Sequence, residues 1–371
     1  MPFQPLARLR FELHLPPGTP TEPGFWLTGT HLDWQDRVDG WQFHQQDGRW
    51  VLEQTVPLGQ LLEVKVRRGD AASEEGDRFG GRAPGHRLVV RQDATMPLPV
   101  AGWQDRPGPE RPSTRSGQIE TLTLTHPQLG RQEVLVWLPP GHGQTGRRYP
   151  VLYLHDGQNV FDAATAWAGV EWGADEAAGQ LAEAGLPCIL AAVPVDERRS
   201  QLYTPFPSRI NGHAPLGDAY LDFLTTTLKP ALDRQFQTEP GAAHTAVAGS
   251  SLGGLISLYA GYRRPDLYGT VGAFSPAVWP GDFALLDWLK GQATGPQHVY
   301  LDMGDQEDRT LEAAALLVRQ TRALADQLEA QGAAVELMIG TGHWHDEAAW
   351  AHRFPGFLRG WLERLARRPG I

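Results

Sequence analysis

The chain has 371 residues, more than one ordinary domain needs and a natural length for two. Hydrophobic residues make up 41% and charged residues 20%, a globular composition with material for a sizeable core. A formal net charge of −10 argues against a nucleic-acid binder, the single cysteine, Cys188, excludes an internal disulfide, and neither a membrane span nor a signal-like N-terminus is legible, so a cytoplasmic address with no membrane partner is expected.

Short alternating segments come first: RFELHL, GFWLTG, RWVLEQTVPL, LLEVKVRRG and HRLVVRQ, separated by turn residues. Their period of two predicts half-buried strands, and their regular spacing predicts a small all-β, immunoglobulin-like sandwich. It should begin near residue 4 and fill a first domain over residues 1–103. The stretch QDRPGPERPSTRSG, residues 104–117, is rich in proline, glycine and charge and reads as an exposed linker.

The rhythm then changes. QIETLTLTHP and QEVLVWLPP read as strands, and VLYLHDG, CILAAVPV, TVGAFSP, HVYLDMG and VELMIG as buried parallel strands. AHTAVAGSS is a strand running into the helix LGGLISLYAGYRR. Helical patterns cover Gly173–Ala184, Asp218–Phe236 with a kink at Pro230, Leu311–Gln331 and Phe354–Ala366. Strands alternating with helices predict a second domain, residues 118–371, built on a mostly parallel sheet with helices on both faces.

Gly249-Ser250-Ser251-Leu252-Gly253 fits G-x-S-x-G between an apolar strand and a helix, the setting of a nucleophile elbow. Small flanking residues let the chain pass close by, and the Ser251 hydroxyl then stands at a helix N-terminus, where negative charge is favoured. Ser250 fits only as the variable residue. A serine hydroxyl needs a base, and in this arrangement the histidine follows the acid in the chain. His343, His345 and His352 all lie beyond the last strand, in or near GTGHWHDEAAW. His345 is assigned the role, because His343 is closer to the strand end and His352 falls in the next helix. Zinc binding by the H-x-H pair with Asp346 and Glu347 is the alternative, without upstream ligands to complete it. Asp305, Glu307 and Asp308 in GDQED are candidate acids on equal footing, and Asp302, within the strand, is a weaker one. The backbone amides of Leu252 and of Gln158, in the loop HDGQN, are assigned to the oxyanion hole. Asp156, Trp167 and Trp344 are assigned to substrate binding. Phe161, Trp172 and Trp279 lie near the same loops, as pocket wall or core. No metal or organic cofactor is expected.

HDGQNVFD, WGADEAA, YTPF, AGSSLGG and HDEAAW occur in this order between Gln118 and the C-terminus. Together they resemble the esterase family of α/β-hydrolases that includes esterase D, enterobactin-type siderophore esterases, feruloyl esterases and mycolyltransferases. The resemblance implies hydrolysis or transfer of acyl groups on small-molecule or sugar esters. It also implies Glu307 as the acid, the fourth position of the G-x-x-[DE] loop, and His345 as the residue before an acidic position and a tryptophan-bearing helix. An acyltransferase with the same triad, and a non-catalytic carbohydrate-binding protein, are the alternative readings. In the first domain, GFWLTGTHLDW, DGRWVLEQTVPLG and LLEVKVRRG are similar to starch-binding β-sandwich modules, which would place Trp34 and Lys65 at a glucan. DAASEEG departs from that pattern where a second tryptophan would stand, so a packing or gating role is equally open. Trp26 and Trp50 read as core.

Overall fold

The structure, a computed structural model, describes residues 5–144, 146–207 and 214–367. Residue 4, the expected start of the sandwich, and the first positions of the N-terminal stretch lie outside the described residues. The chain forms two compact units. The first comprises Met1–Pro112 with Trp167–Gly169 and Asp305–Leu317, and the second Ser113–Ala166, Val170–Gly304 and Val318–Ile371.

The first unit is all-β over its N-terminal part: β1 (Leu6–His14), β2 (Trp26–Gly29), β3 (His44–Gln46), β4 (Arg49–Pro57), β5 (Leu61–Arg67), β6 (Glu75–Gly76), β7 (His86–Val89), β8 (Ala94–Pro99) and β9 (Gly102–Trp103). One sheet has the order β3-β4-β1-β8 and a second β2-β5-β7. Alternation in β1 buries Ala7, Leu9, Phe11 and Leu13, which share one core with Leu27, Leu62, Val64 and Val66 of the second sheet. The core tryptophan is Trp103, 2% exposed and stacked on Phe25. Trp26 and Trp50, expected in the core, are only half-buried, because the inward positions beside them are taken by Phe25, Leu27 and Val51. Residues 305–317 add backbone to this unit: the Leu61 amide donates to the Arg309 carbonyl and the Leu311 amide to the Gly59 carbonyl, both at 2.8 Å.

The second unit carries an eight-stranded sheet. Its strands are β10 (Gln118–His126), β11 (Gly130–Leu138), β12 (Val151–His155), β13 (Ile189–Val193), β14 (Thr245–Ser250), β15 (Thr270–Phe274), β16 (His298–Gly304) and β17 (Ala334–Gly340). The order is β10-β11-β13-β12-β14-β15-β16-β17, parallel from β13 to β17. The helices are α1 (Ala174–Glu183), α2 (Arg199–Leu202), α3 (Gly217–Asp222), α4 (Lys229–Gln235), α5 (Leu252–Arg263), α6 (Pro280–Lys290), α7 (Leu311–Ala330) and α8 (Glu347–Ala366).

Apolar residues at every position let the sheet feed two cores. Val151, Tyr153, Ile189, Ala191, Val247 and Val271 pack with side chains of α4, α5 and α6. The intervening Leu152, Leu154, Leu190, Ala192, Ala246 and Ala248 pack with those of α1 and α8. Helices therefore cover both faces. Cys188 is buried at the entrance to β13, and burial pushes its thiol pKa up, so it is a packing residue.

Three elements differ from the sequence reading. β17 is an edge strand with mostly half-exposed residues, since only β16 pairs with it. The Asp218–Phe236 helix is broken by a π-helical stretch, Phe223–Leu228, with the Lys229 amide bonded to the Leu224 carbonyl. Pro230 follows and has no amide to donate, so the irregularity is placed just before it. α8 starts at Glu347, seven residues before the expected Phe354, because the Asp346 carboxylate caps it by accepting from the Ala349 amide at 2.7 Å. No helix among the described residues is long and apolar enough to cross a membrane.

β12 ends on His155, whose Nδ1 lies 2.8 Å from the Tyr220 hydroxyl. Burial, and secondarily the Arg199 charge, lower its pKa to about 3. An unfolded imidazole protonates near pH 6.5, so between there and pH 3 the unfolded chain binds the extra proton. Stability from this group is full above the unfolded value and falls on acidification, by about 1.4 kcal/mol per pH unit. Urea midpoints between pH 7 and 4 should fall less steeply for His155→Gln than for the parent chain. Equal slopes would contradict this account.

Candidate active site

β14 delivers the chain to Ser251, and α5 begins at the next residue. Ser251 has φ 57° and ψ −119°, a conformation that side-chain-bearing residues rarely adopt. Packing imposes it: the Ser251 amide donates to the Phe274 carbonyl of β15 at 2.9 Å, and its own carbonyl accepts from Ala277 at 2.9 Å and Leu255 at 3.1 Å. The flanking glycines are steric requirements. A Cβ on Gly249 would stand 2.9 Å from His155 Cδ2 and 3.0 Å from the Gly253 carbonyl carbon, inside contact distance. The HDGQN loop thus presses on the elbow. Ser250 is buried, paired in register with Phe274 at the end of β14.

His345 reaches the elbow from the loop between β17 and α8, and its Nε2 lies 3.0 Å from Ser251 Oγ. Its ring stands at 85° to the Trp350 indole, with centroids 5.0 Å apart. His343 packs on the end of β17, where a Cβ on Gly340 would meet its Nδ1 at 2.6 Å, and meets His352 edge to face. His345 is thus the histidine that stands at the serine hydroxyl. Asp346 caps α8. The Glu347 carboxyl is raised by burial and by the Asp156 and Asp346 charges, and accepts from Asn159 Nδ2 at 3.3 Å. Both acids of the H-x-H alternative thus have structural partners.

Gly304 and Gly340 are cross-strand partners, so the segments carrying the GDQED acids and His345 leave the sheet from adjacent strand ends. Among those acids Glu307 is the buried one, at 9% exposure, while Asp305 is half-buried and Asp308 exposed. Asp302 is fully buried and committed elsewhere. Its Oδ1 accepts from the Ser275 amide at 2.8 Å, and its Oδ2 accepts from the Tyr300 hydroxyl at 3.0 Å and lies 3.2 Å from Arg353 Nε. Arg353 Nη2 and Trp350 Nε1 both donate to Ser275 Oγ, at 2.9 and 3.0 Å. This polar knot sits behind the site: Phe274, which binds the Ser251 amide, precedes Ser275, and Trp350 backs the His345 ring. Sequence reading missed Arg353, Ser275 and Trp350. Arginine at an inward position of α8, among Phe354, Phe357 and Leu358, was the available signal.

Leu252 is the first residue of α5, where amides have no intrahelical acceptor. Gln158 lies in the turn Gly157–Asn159, its side-chain carbonyl held by the Val195 amide at 3.0 Å and its own carbonyl by the Thr165 hydroxyl at 2.7 Å. A Cβ on Gly157 would stand 2.6 Å from Pro194 N, so only glycine fits there.

Asp156, assigned to substrate binding, is paired with Arg199. Its backbone is left-handed, which turns the carboxylate inward. Both oxygens are then taken by Arg199, with Nε at 2.8 Å and Nη2 at 2.9 Å, and its amide donates to the Tyr203 hydroxyl at 2.9 Å. Trp167 is 64% exposed, belongs with the first unit, and carries the Arg82 guanidinium 3.5 Å above its ring. Trp344 is half-buried, Phe161 and Trp172 are core, and Trp279 is exposed. In the first unit Lys65 is bound to Glu74 at 2.8 Å in a half-buried network with Arg67. Trp34 is half-buried and left-handed, its carbonyl accepting from Arg67.

The family model described as "Putative esterase" matches residues 129–360. The chain belongs to this esterase family. It is accordingly a carboxylic ester hydrolase of α/β-hydrolase fold. "Uncharacterized protein YbbA" of Bacillus subtilis is 23% identical over 65% of this chain and 96% of its own length. The siderophore triacetylfusarinine C esterase of Aspergillus fumigatus is 31% identical over 40% of this chain and 51% of its own length. The crystal structure of the enterobactin esterase FES from Shigella flexneri superposes with a TM-score of 0.60 at 18% identity, over 93% of this chain and 89% of that one. The second unit alone cannot supply that share, so the likeness of fold extends into the first unit of this esterase.

Two outcomes follow from the elbow and the knot behind it. The left-handed backbone at position 251 costs about 1–3 kcal/mol with a side chain present, so Ser251→Gly should melt above Ser251→Ala by calorimetry. Arg353→Met should cost about 3–5 kcal/mol in urea unfolding, because it strands a buried carboxylate, and adding Asp302→Leu should recover part of the loss. A loss below about 1 kcal/mol would contradict the account of Asp302 as a buried charge held by Arg353.

Proposed function

We propose that this esterase hydrolyses small-molecule carboxylic esters through a Ser251–His345–Glu307 triad. The 3.0 Å contact between His345 Nε2 and Ser251 Oγ carries the reading. It joins residues far apart in sequence at a strained turn that holds the hydroxyl at a helix N-terminus. His345 takes the hydroxyl proton as Ser251 attacks the ester carbonyl, then gives it to the departing alcohol. Water, deprotonated by the same imidazole, attacks the acyl-enzyme carbonyl, the bond to Ser251 Oγ breaks, and the serine regains its proton. The amides of Leu252 and Gln158 are the proposed oxyanion donors, supported by their places at the start of α5 and in the loop pressed on the elbow. Glu307 is the proposed acid, supported by its burial and by the adjacent ends of β16 and β17. In that role it fixes the imidazole tautomer and stabilises the imidazolium.

Siderophore-type esters form the first substrate class to test. The supports are the relative named as a triacetylfusarinine C esterase and the likeness in fold, over both units, to an enterobactin esterase.

An ester panel covering short acyl p-nitrophenyl, feruloyl and siderophore esters, run on parent and variants, tests the reading. Ser251→Ala and His345→Ala should each lower kcat on the order of 10⁴-fold or more, and Glu307→Gln somewhat less. Retained turnover in Ser251→Ala rejects the mechanism. Hydrolysis at full rate in Glu307→Gln moves the acid elsewhere. Product analysis with added alcohol separates hydrolysis from acyl transfer.

A further inference from the structure

One cluster of carboxylates lies apart from this chemistry. Glu171, Asp175 and Glu176 stand where the chain enters α1, and one oxygen from each lies within 4.8 Å of the other two. Asp175 is fully buried at 0% exposure. Its Oδ2 accepts from the Ser116 amide at 2.6 Å, while its Oδ1 is buried with no hydrogen-bond donor. Glu171 repeats the pattern: Oε1 takes the Thr114 hydroxyl, and Oε2 is buried without a donor. Glu176 Oε2 is a third such atom.

Negative charge in the first turn of α1 is favoured by the helix dipole. That accounts for acidic residues there, but a dipole gives Asp175 Oδ1 no partner, and a buried polar atom without one is costly. A proton shared between two carboxyls serves only that pair. A cation serves all three at once. An all-oxygen, triply acidic donor set suits a hard divalent ion. Calcium bonds oxygen at about 2.3–2.6 Å, so ligands on one shell stand up to about 5 Å apart, and its shell of 6–8 oxygens leaves places for water. Glu171 and Glu176 are half-buried, which leaves the outer side of the cluster for entry and for those waters.

We propose that Glu171, Asp175 and Glu176 form a calcium-binding site that ties the entry of α1 to the 113–116 segment. The site has a link to the elbow. Trp172, next to Glu171, packs on Phe274, Phe354 and Trp350, with ring centroids 5.3, 5.6 and 6.4 Å away, and Trp350 backs His345. A bound cation holds the segment from which that tryptophan wall is built. The proposal does not rest on the triad.

The test uses the full chain, treated with chelator and titrated with CaCl₂ or TbCl₃. Trp172 is placed to sensitise terbium, so tryptophan-excited Tb³⁺ luminescence should saturate and be displaced by Ca²⁺, and Ca²⁺ should raise the melting temperature. Asp175→Asn keeps the Ser116 bond while removing a charge, and Asp175→Asn/Glu176→Gln removes two. Both should fold, with melting temperatures in chelator at or above that of the parent. Both should bind Tb³⁺ and Ca²⁺ at least about tenfold more weakly. The absence of both luminescence and a melting shift in the parent at millimolar Ca²⁺ overturns the proposal. So does a response that survives unchanged in the double variant.

Discussion

Between β14 and α5 the chain reverses through one residue, Ser251, whose positive φ is enforced by hydrogen bonds to Phe274, Ala277 and Leu255. Much of the second unit is arranged around that turn. Gly249 and Gly253 are small because the HDGQN loop presses on them, and that loop is fixed in turn by Asp156 and Arg199. The hydroxyl then has one direction to face, and His345 is there. Strain at this turn is sustained by the packing and hydrogen bonds around it.

The sheet tolerates such a turn because it is rigid on both sides. Small residues in β14, with Ala246 and Ala248 facing one core and Val247 the other, bring α5 and α8 close to the backbone. The Asp302–Arg353 pair is the exception to this apolar packing. A buried ion pair adds little stability by itself, but it places donors and acceptors in fixed positions. Here those positions are Ser275 Oγ and the Trp350 indole, next to the elbow and to the imidazole.

The first unit is organised differently. Its core is a sandwich closed by Trp103, and its polar residues are joined to each other: Lys65 and Arg67 share Glu74, and Arg67 also meets Asp36. The likeness of fold to the enterobactin esterase FES spans 93% of this chain, more than the second unit alone.

Periodicity and punctuation determined most of the architecture. Alternation marked the sandwich, apolar runs ending in glycine marked the parallel strands, and G-x-S-x-G between strand and helix marked Ser251, because these signals depend only on neighbours along the chain. They fell short where the deciding partner was distant: the pairing of Arg199 with Asp156 was not legible, and VELMIG reads as buried until its edge position is known. GDQED offered three acids, and the burial that singles out Glu307 is a property of the folded chain. Ser275 and Trp350 carry no local signal of this network, and Arg353 only its charge among apolar neighbours, since a buried hydrogen-bond network exists only once strands β15 and β16 and helix α8 have packed. The sequence determined which elements form and which serine is poised. Tertiary packing decided which charges neutralise each other and which imidazole meets that serine, because electrostatic partners are chosen by distance in space.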